Sequence, residues 1–357
     1  MKGFTSLNRR RNIVMAGACL AGGAALAFPQ SSTATVIFND TFPSGTSSQV
    51  DPATYPTPTS SSTGYDVFST KTSTDGIVGP GDLQIMQTAS SAAETEVEAN
   101  FASPGSGVAM NVGDQLDLIV TFKDNGGILN SGATSSSALD FGLYSSNGTG
   151  KTPVGGLTPA AAAQLSATST TYAYNGTNPG VAGYVGYVSQ IFATGGSTTG
   201  GRIESRPAQT GGTNIDQDLV EAGASTSTSY TGSAQVGAKT TSAATNLTTG
   251  SIYTEDLNVT LTSSNTETFV STLYQGAGTG GPVQTTYTAV GTAGQFLTSN
   301  FDTLAFGWYS KNTSSTASQM DVSQVEVLYT PVPEPATIGL LAVSCVGLLK
   351  RRVRKHA

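Results

Sequence analysis

The sequence predicts an all-β protein, folded as a sandwich of two antiparallel sheets. The region between about residues 35 and 330 is rich in Gly, Ser, Thr, Ala, Val and Tyr and poor in charged residues. Short runs of alternating apolar and polar residues recur there between clusters of turn-forming residues, whereas long helical periodicities are absent. A region of this length can bury a sizeable core, as one large domain or as a tight pair.

The strands are predicted from period-2 alternation. The clearest run is Gln115–Phe122, whose apolar residues share one face, and Ala138–Tyr144 and Glu255–Leu261 repeat the pattern. Seven further runs have the same character: Thr35–Asn39, Leu83–Thr88, Thr95–Phe101, Val181–Phe192, Phe269–Tyr274, Thr303–Tyr309 and Ser323–Tyr329. We therefore expect about ten to thirteen strands.

Turns, one helix and two loops are predicted between the strands. Asp124–Gly127 is expected to close a hairpin, and Ser146–Gly148 supplies another left-handed turn. Thr158–Leu165 is the one predicted helix, because a Thr cap precedes a proline at the first helical position. Thr46–Thr63 is expected to be an extended loop, and Gly195–Gly250 a long excursion that contains one or two edge strands.

The N-terminal segment has the features of a secretory signal peptide, which we assign to residues 1–34. Lys2 and Arg9–Arg11 precede an apolar run, Ile13–Ala27, and small residues offer cleavage positions before Phe28 or before Thr35. Either the Sec or the twin-arginine machinery could export such a chain.

The C-terminal segment, residues 331–357, combines a proline turn, an apolar run and a basic end. Val332-Pro333-Glu334-Pro335 precedes the predicted transmembrane segment, Ala336–Leu349, and the basic residues are Lys350, Arg351, Arg352, Arg354 and Lys355. This order resembles the PEP-CTERM sorting domain of Gram-negative bacteria. The resemblance implies recognition by an exosortase, a membrane transpeptidase that cleaves near Pro-Glu-Pro, and delivery to the cell surface or the exopolysaccharide matrix. A plain membrane anchor is the alternative.

The charge pattern of the two ends predicts the orientation of the chain. Basic clusters lie beyond both apolar runs and stay on the cytoplasmic side, so residues 35–330 are expected outside the inner membrane. Helical residues 336–349 would span only about 21 Å of a hydrocarbon core about 30 Å thick. Such a short span suits a transient membrane precursor better than a permanent anchor.

The composition of residues 35–330 excludes several classes of function. Seven Lys and Arg against twenty-two Asp and Glu give this region a net charge of about −15, which disfavours nucleic acid and anionic lipid as partners. Cys19, Cys345 and His356, the only residues of their types, lie in the two end segments. Disulfides, Cys/His zinc sites and His-dependent nucleophiles are therefore excluded, whereas carboxylate chemistry and hard-cation binding are not.

The first and last strands are expected to pair, which would place both end segments on one side of the sandwich. Residues Asn300–Gly307, just before the last strand, resemble the penultimate strand of concanavalin-A-like (laminin-G-like) jelly rolls. That resemblance implies a jelly-roll sandwich. An immunoglobulin-like arrangement and a solenoid are the alternatives.

Three glutamates on one strand face are the candidate catalytic group. Glu94, Glu96 and Glu98 alternate in the run Glu94–Glu98, which resembles the Glu-x-Asp-x-Glu strand of family 16 laminarinase-like glycoside hydrolases. The resemblance implies that Glu94 is the nucleophile, Glu98 the acid/base and Glu96 the helper. The sequence departs from the motif, because Glu96 replaces Asp and Thr95 replaces an apolar residue. The alternative is a solvated edge strand whose charges discourage aggregation.

Other polar and aromatic residues suggest binding sites. Three pairs of Asp or Asn residues offer oxygen ligands for Ca²⁺, although none fits an EF-hand: Asp114 with Asp117, Asp124 with Asn125, and Asp216 with Asp218. We predict no cofactor and assign no calcium ligands. Six aromatic residues could stack on sugar rings or fill half-buried strand positions: Tyr172, Tyr174, Tyr184, Tyr187, Trp308 and Tyr309.

The combined prediction is an exported, exosortase-sorted protein of the cell envelope or exopolysaccharide matrix, non-catalytic, with at most weak glycan binding. Its expected partners are the exosortase, the export machinery, extracellular polysaccharide and, transiently, the inner membrane. The alternative is an extracellular family-16-like glycoside hydrolase that uses Glu94 and Glu98.

Overall fold

The computed structural model describes residues 32–42, 65–69, 73–77, 81–87, 93–103, 105–129, 137–147, 183–193, 201–208, 219–220, 234–237, 245–310 and 317–332. Every described strand belongs to one compact unit, Ala34–Thr330. The predicted helix Thr158–Leu165 and the loop Thr46–Thr63 lie outside the described residues, as do residues 1–31 and 333–357 of the predicted end segments. No helix in the described ranges has the length and apolar character needed to cross a bilayer.

The described residues form seventeen β-strands. They are β1 (Thr35–Asp40), β2 (Tyr65–Ser69), β3 (Ser73–Ile77), β4 (Leu83–Gln87), β5 (Ala93–Asn100), β6 (Val108–Ala109), β7 (Gln115–Gly126), β8 (Ala138–Ser145), β9 (Val185–Phe192), β10 (Gly201–Arg206), β11 (Ala234–Gln235), β12 (Ile252–Ser263), β13 (Thr266–Gln275), β14 (Val283–Val290), β15 (Asn300–Phe301), β16 (Thr303–Ser310) and β17 (Ser318–Thr330). All ten predicted strands are present.

Two antiparallel sheets form the sandwich, which confirms the predicted fold class. Sheet A has the order β14-β13-β12-β7-β17-β4-β3, with β1 also paired to β17, and sheet B has the order β11-β10-β9-β8-β16-β5-β2. Successive strands β4 and β5, β7 and β8, and β16 and β17 each divide between the two sheets. Because β16 lies between β5 and β8 while β17 contacts β4 and β7, these pairs are nested as in a jelly roll.

The first and last strands pair, as predicted. Thr35 is opposite Tyr329 and Val36 is opposite Leu328 in an antiparallel ladder, with an irregularity between Val36 and Phe38. The chain therefore enters the sandwich beside the point at which it leaves.

The inner faces of the two sheets form the main hydrophobic core. The residues of β7 that were predicted to share one face are all fully buried: Leu116, Leu118, Val120 and Phe122. The Phe122 ring centroid lies 6.2 Å from that of Phe141 in sheet B and 6.0 Å from that of Tyr253 in sheet A. Burying a side chain of this size stabilises the fold by about 1.5–3 kcal/mol.

Sheet B is also buried on its outer face. All eight residues of β8 are buried, and a second hydrophobic cluster covers this face: Tyr144, Tyr184, Val188, Leu219, Val220 and Ala305. Gly142 and Gly186 make room for it, because a Cβ atom at either position would overlap the Tyr144 side chain. The outer face of sheet B therefore carries a small core of its own.

Two local predictions need correction or extension. Asp124–Gly127 does not close a hairpin, because β7 continues through Gly126 and the next strand, β8, lies in the other sheet. Gly126 and Gly127 have φ values of 140° and 79°, which only glycine adopts easily, and they begin this crossover.

The excursion Gly195–Gly250 does contain two strands, β10 and β11, of which β11 is an edge strand.

Asp302 joins three loops at one end of sheet B. Its Oδ1 accepts hydrogen bonds from the Ser146 N–H (2.7 Å) and the Thr303 hydroxyl (2.9 Å), and its Oδ2 accepts from the Gly105 N–H (3.0 Å) and the Ser146 hydroxyl (2.6 Å). The side chain is fully buried. The segment singled out by the jelly-roll resemblance thus contains a residue that fixes the ends of β5 and β8 beside β16.

Candidate functional site

Strand β5 carries two of the three candidate glutamates on the outer face of sheet B. Glu96 and Glu98 alternate with Val97 and Ala99, which belong to the main core. The predicted shared face is therefore confirmed for these two, whereas the Glu94 side chain lies outside the described part. The edge-strand interpretation is wrong, because β5 lies between β16 and β2 and both carboxyl groups are fully buried.

A third buried carboxyl group lies on the same face. Asp140 of β8 and Glu96 of β5 are both opposite Gly307 of the intervening strand β16. Their Cα atoms are therefore two strand spacings apart, about 9–10 Å. We did not single out Asp140 from the sequence, although an aspartate between Leu139 and Phe141 in an apolar strand was the available signal. The register brings together residues that are distant in the chain.

The Glu96 carboxylate holds a distant piece of chain against the sheet. Its Oε1 accepts a hydrogen bond from the Leu219 N–H (2.8 Å) and its Oε2 accepts one from the Val220 N–H (3.3 Å). The Tyr144 hydroxyl donates to the Leu219 carbonyl oxygen. Leu219 and Val220 are fully buried, and we call this pair the plug. Hydrogen bonds to an ionised acceptor are about twice as strong as neutral ones.

This arrangement determines what Glu96 can do chemically. Both of its oxygens accept main-chain hydrogen bonds, and the side chain has no solvent exposure. A helper carboxylate in glycosidic cleavage has to face the sugar, which the plug prevents here. Gly307 keeps β16 close to this strand, because a Cβ atom there would lie 2.9 Å from the Glu96 Cα.

Charged residues of β10 and the Gln190 amide of β9 extend the polar face. Arg202 forms an ion pair with Glu204 (2.8 Å), and its Nε donates a hydrogen bond to the Gln190 Oε1 (2.5 Å). The Arg202 guanidinium also lies 5.3 Å from the centroid of the Phe192 ring, within cation–π range. The outer face of sheet B therefore combines buried acids with an arginine that is already neutralised.

The described members of the predicted aromatic group lie in the interior and not on a surface platform. Tyr184, Tyr187, Trp308 and Tyr309 are all buried, and the Trp308 indole N–H donates a hydrogen bond to the Ser318 hydroxyl (3.0 Å). These four residues are therefore more deeply buried than the half-buried strand positions predicted for them. Tyr172 and Tyr174 lie outside the described residues.

Asp114 and Asp117, the first acidic pair considered as calcium ligands, are already hydrogen-bonded. The Asp114 Oδ2 accepts from the Asn111 N–H (2.7 Å) and the Tyr329 hydroxyl (2.5 Å), and the Asp117 Oδ1 accepts from the Asn258 amide (2.6 Å). These donors stabilise the carboxylates where a cation would otherwise do so. Across the described ranges, no three His, Cys, Asp or Glu side chains converge as a metal site would require.

Asp124 is a hydrogen-bonded turn residue as well. Its Oδ1 accepts from the Gly126 N–H (2.8 Å). Burial raises the pKa of the Asp124 carboxyl, and hydrogen bonds from the Gly126 and Ile128 N–H groups partly offset that increase. The Asn125 side-chain amide donates a hydrogen bond to the Asp321 carboxylate. The third pair, Asp216 and Asp218, lies outside the described residues. A structural calcium stays a hypothesis.

Glu267 is a buried carboxyl group inside the sandwich. Burial raises its pKa to about 8, and a hydrogen bond with Tyr187 lowers it only in part. The Tyr187 hydroxyl in turn accepts a hydrogen bond from the Leu297 N–H (2.7 Å). The neutral acid is therefore favoured in the folded state up to mildly alkaline pH.

Solved structures that are similar to this chain include a lectin, a glucanase and a lyase. No family model and no curated protein matches the chain. Peanut lectin is 9% identical, with a TM-score of 0.37 over 85% of this chain and 100% of that one. Endo-1,3-beta-glucanase from Streptomyces sioyaensis is 12% identical, with a TM-score of 0.36 over 86% of this chain and 99% of that one. The PL-14 alginate lyase from Aplysia kurodai is 13% identical, with a TM-score of 0.37 over 72% of this chain and 87% of that one. A lectin, a glucanase and a lyase match equally, so these similarities do not distinguish binding from catalysis.

Replacing Glu96 tests its role in holding the plug. The substitution Glu96→Gln removes the charge and one acceptor while it keeps the size, so we expect the free energy of unfolding to fall by about 1–3 kcal/mol. Denaturant titration measures this change. The control is Glu326→Gln, which alters a half-buried glutamate on the outer face of sheet A. Equal stability of the two variants would contradict the assigned role.

Replacing Glu267 tests the effect of its raised pKa. The folded-state pKa of about 8 exceeds the ordinary value of 4.5. The unfolded chain therefore releases this proton first, and stability is lost as pH rises from about 4.5 to 8. In Glu267→Gln we expect this loss to be smaller by about 2–4 kcal/mol. Parallel pH–stability curves of the wild type and the variant would refute this assignment.

Proposed function

We propose that this chain is an exported protein of the cell envelope or exopolysaccharide matrix, sorted by an exosortase, and that its sandwich is non-catalytic. The observation that carries the non-catalytic assignment is the plug, which Glu96 holds on the acidic face of sheet B through two main-chain hydrogen bonds. The proposal includes no cofactor.

The sequence of the two ends supports export and sorting. A signal-like segment precedes residue 35, and a Pro-Glu-Pro motif, an apolar run and a basic cluster follow Thr330. Since Thr35 pairs with Tyr329, the sandwich begins and ends at adjacent positions of one ladder. The strongly acidic region between them is suited to a secreted, soluble domain and not to a nucleic-acid partner.

The polar outer face of sheet A is the surface we assign to weak contact with extracellular polysaccharide. Hydroxyl and amide groups line it, and several are paired across strands, as in Thr121 with Thr254 (3.1 Å) and Thr272 with Thr286 (2.9 Å). Thr286 and Thr288 of β14 are exposed. Such a face can hydrogen-bond sugars but offers no large aromatic platform among its described residues, which is consistent with weak binding.

Replacing the sorting motif tests the proposed route. Changing Pro333, Glu334 and Pro335 to alanine should leave unprocessed precursor in the inner membrane, because the exosortase recognition element is lost. Immunoblotting of fractionated cells measures this. Pro282→Ala, a change at an exposed proline in the sandwich, is the control and should be processed normally. Normal maturation of the triple variant would refute the sorting assignment.

An activity assay tests the non-catalytic assignment against the glycoside hydrolase alternative. We expect the full-length protein to release no reducing sugar from β-glucan, because the face that carries Glu96 and Glu98 is closed. Release that persists in Glu326→Gln but disappears in Glu98→Gln would overturn the assignment. Release unaffected by either change would indicate a contaminating enzyme.

A further inference from the structure

A row of buried hydroxyl groups connects the two sheets near one edge of the sandwich. The Ser271 hydroxyl contacts the Glu255 Oε1, and the Ser189 hydroxyl lies 2.8 Å from that of Ser271. Ser189 also contacts the Tyr287 hydroxyl, which donates a hydrogen bond to the Arg202 carbonyl oxygen (3.1 Å). These five groups form one continuous hydrogen-bonded chain from a carboxyl group to a main-chain carbonyl.

The chain crosses from sheet A to sheet B. Glu255, Ser271 and Tyr287 lie on the neighbouring strands β12, β13 and β14, whereas Ser189 and Arg202 lie on β9 and β10. The side chains of the first four are buried. The Tyr287 ring packs against the glycine before Arg202, where a Cβ atom would overlap the ring. The last link therefore joins β14, at the edge of sheet A, to β10 of the opposite sheet.

Counting protons shows that the chain has two directions. A hydroxyl group donates one hydrogen bond and can accept others, whereas an ionised carboxylate only accepts. When Glu255 is neutral, it can donate to Ser271, Ser271 to Ser189, Ser189 to Tyr287, and Tyr287 to the Arg202 carbonyl. Every hydroxyl then has both a donor and an acceptor.

Ionisation of Glu255 removes one of the four protons of this chain. The carboxylate must then accept from Ser271, and the three remaining hydroxyl protons can serve only three of the four links. The link between Tyr287 and the Arg202 carbonyl is the longest of the four, at 3.1 Å, so it is the one expected to lose its hydrogen bond as the Tyr287 proton turns toward Ser189. Loss of one proton at β12 then breaks the link between β14 and β10, three hydroxyl groups away.

We propose that Glu255 is a pH-sensitive switch: in its neutral form it latches β14 to β10 through this chain, and its ionisation releases the latch. The geometry favours the neutral form at the head of the chain. The Glu255 Oε2 is buried and has no hydrogen-bond partner among the described residues. An ionised carboxylate with so few donors is costly to bury.

The charged groups around the switch favour its neutral form as well. Burial raises the pKa of Glu255 well above its ordinary value, Asp256 adds to the increase, and the Ser271 hydrogen bond opposes it. Burial also raises the pKa of Tyr287, Glu255 and Asp140 add to the increase, and hydrogen bonds with Ser189 and Ser271 offset it only in part. Tyr287 therefore keeps its proton as the last donor.

The other charged groups nearby do not compensate an ionised Glu255. On β13, burial raises the pKa of Tyr274, and Asp256 and Glu255 add to the increase. The Arg202 guanidinium is engaged by Glu204 and Gln190 and contributes only its carbonyl oxygen to the chain.

The sign of the pH dependence follows from the direction of this shift. Because the folded-state pKa of Glu255 exceeds the ordinary value of 4.5, the stability that the neutral acid contributes is complete below about pH 4.5, and the latch itself persists in the folded protein above that pH. It is lost as pH rises through the folded-state pKa.

Hydrogen–deuterium exchange of the full-length protein tests the switch. Between pH 5 and 9, after correction for intrinsic exchange rates, we expect exchange in residues 201–206 and 283–290 to become roughly tenfold faster, as loss of one buried hydrogen bond implies. Residues 115–122 at the centre of sheet A should change less. Unchanged protection of 201–206 and 283–290 in the wild type would overturn the proposal.

Two variants separate the switch from a general effect of burying an acid. In Glu255→Gln the side chain cannot ionise, and in Ser271→Ala the carboxyl remains but loses the hydroxyl that connects it to the chain. We expect the pH response of 201–206 and 283–290 to disappear in both, whereas Glu267→Gln should retain it. A response that survives in Ser271→Ala would contradict the relay, and this result can be read even if Glu255→Gln fails to fold.

Discussion

The outer face of sheet B depends on one interaction, the two hydrogen bonds that the plug donates to the Glu96 carboxylate. Glu96 lies on this face, on the strand whose resemblance to family 16 glycoside hydrolases implied a catalytic role. Because the plug and its apolar neighbours cover this face, sheet B is buried on both sides and acidic side chains are held away from water. This closure supports the proposal that the sandwich is non-catalytic.

Buried carboxyl groups act elsewhere as structural connectors in a region without cysteine. Asp302 joins three loops through hydrogen bonds to its side chain, and Asp114 and Asp124 each fix a local turn. Many secreted domains rely on disulfides, which residues 35–330 lack. In the described part of the chain, main-chain N–H groups converge on the carboxyl groups of Glu96, Asp114, Asp124 and Asp302.

Sequence patterns predicted the strands well wherever apolar residues alternate, as in β7, β8 and β12. Strand β14 was missed because its inward face mixes Thr285 with Tyr287 and Ala289, while valines occupy exposed positions. The burial of Glu96 could not be predicted, because its partner Leu219 is 123 residues away in a stretch with little pattern. Strand order and register, which bring Asp140 beside Glu96, are set by long-range pairing that local periodicity does not encode.

Accessibility of a single introduced cysteine tests most directly whether the plug closes sheet B. Residues 35–330 contain no cysteine, so Ala305→Cys beneath the plug can be compared with Thr288→Cys on an exposed strand, both with Cys19 and Cys345 changed to serine. A maleimide reagent should label the Thr288→Cys protein rapidly and the Ala305→Cys protein only after unfolding. Equal labelling rates in the folded state would contradict a closed face.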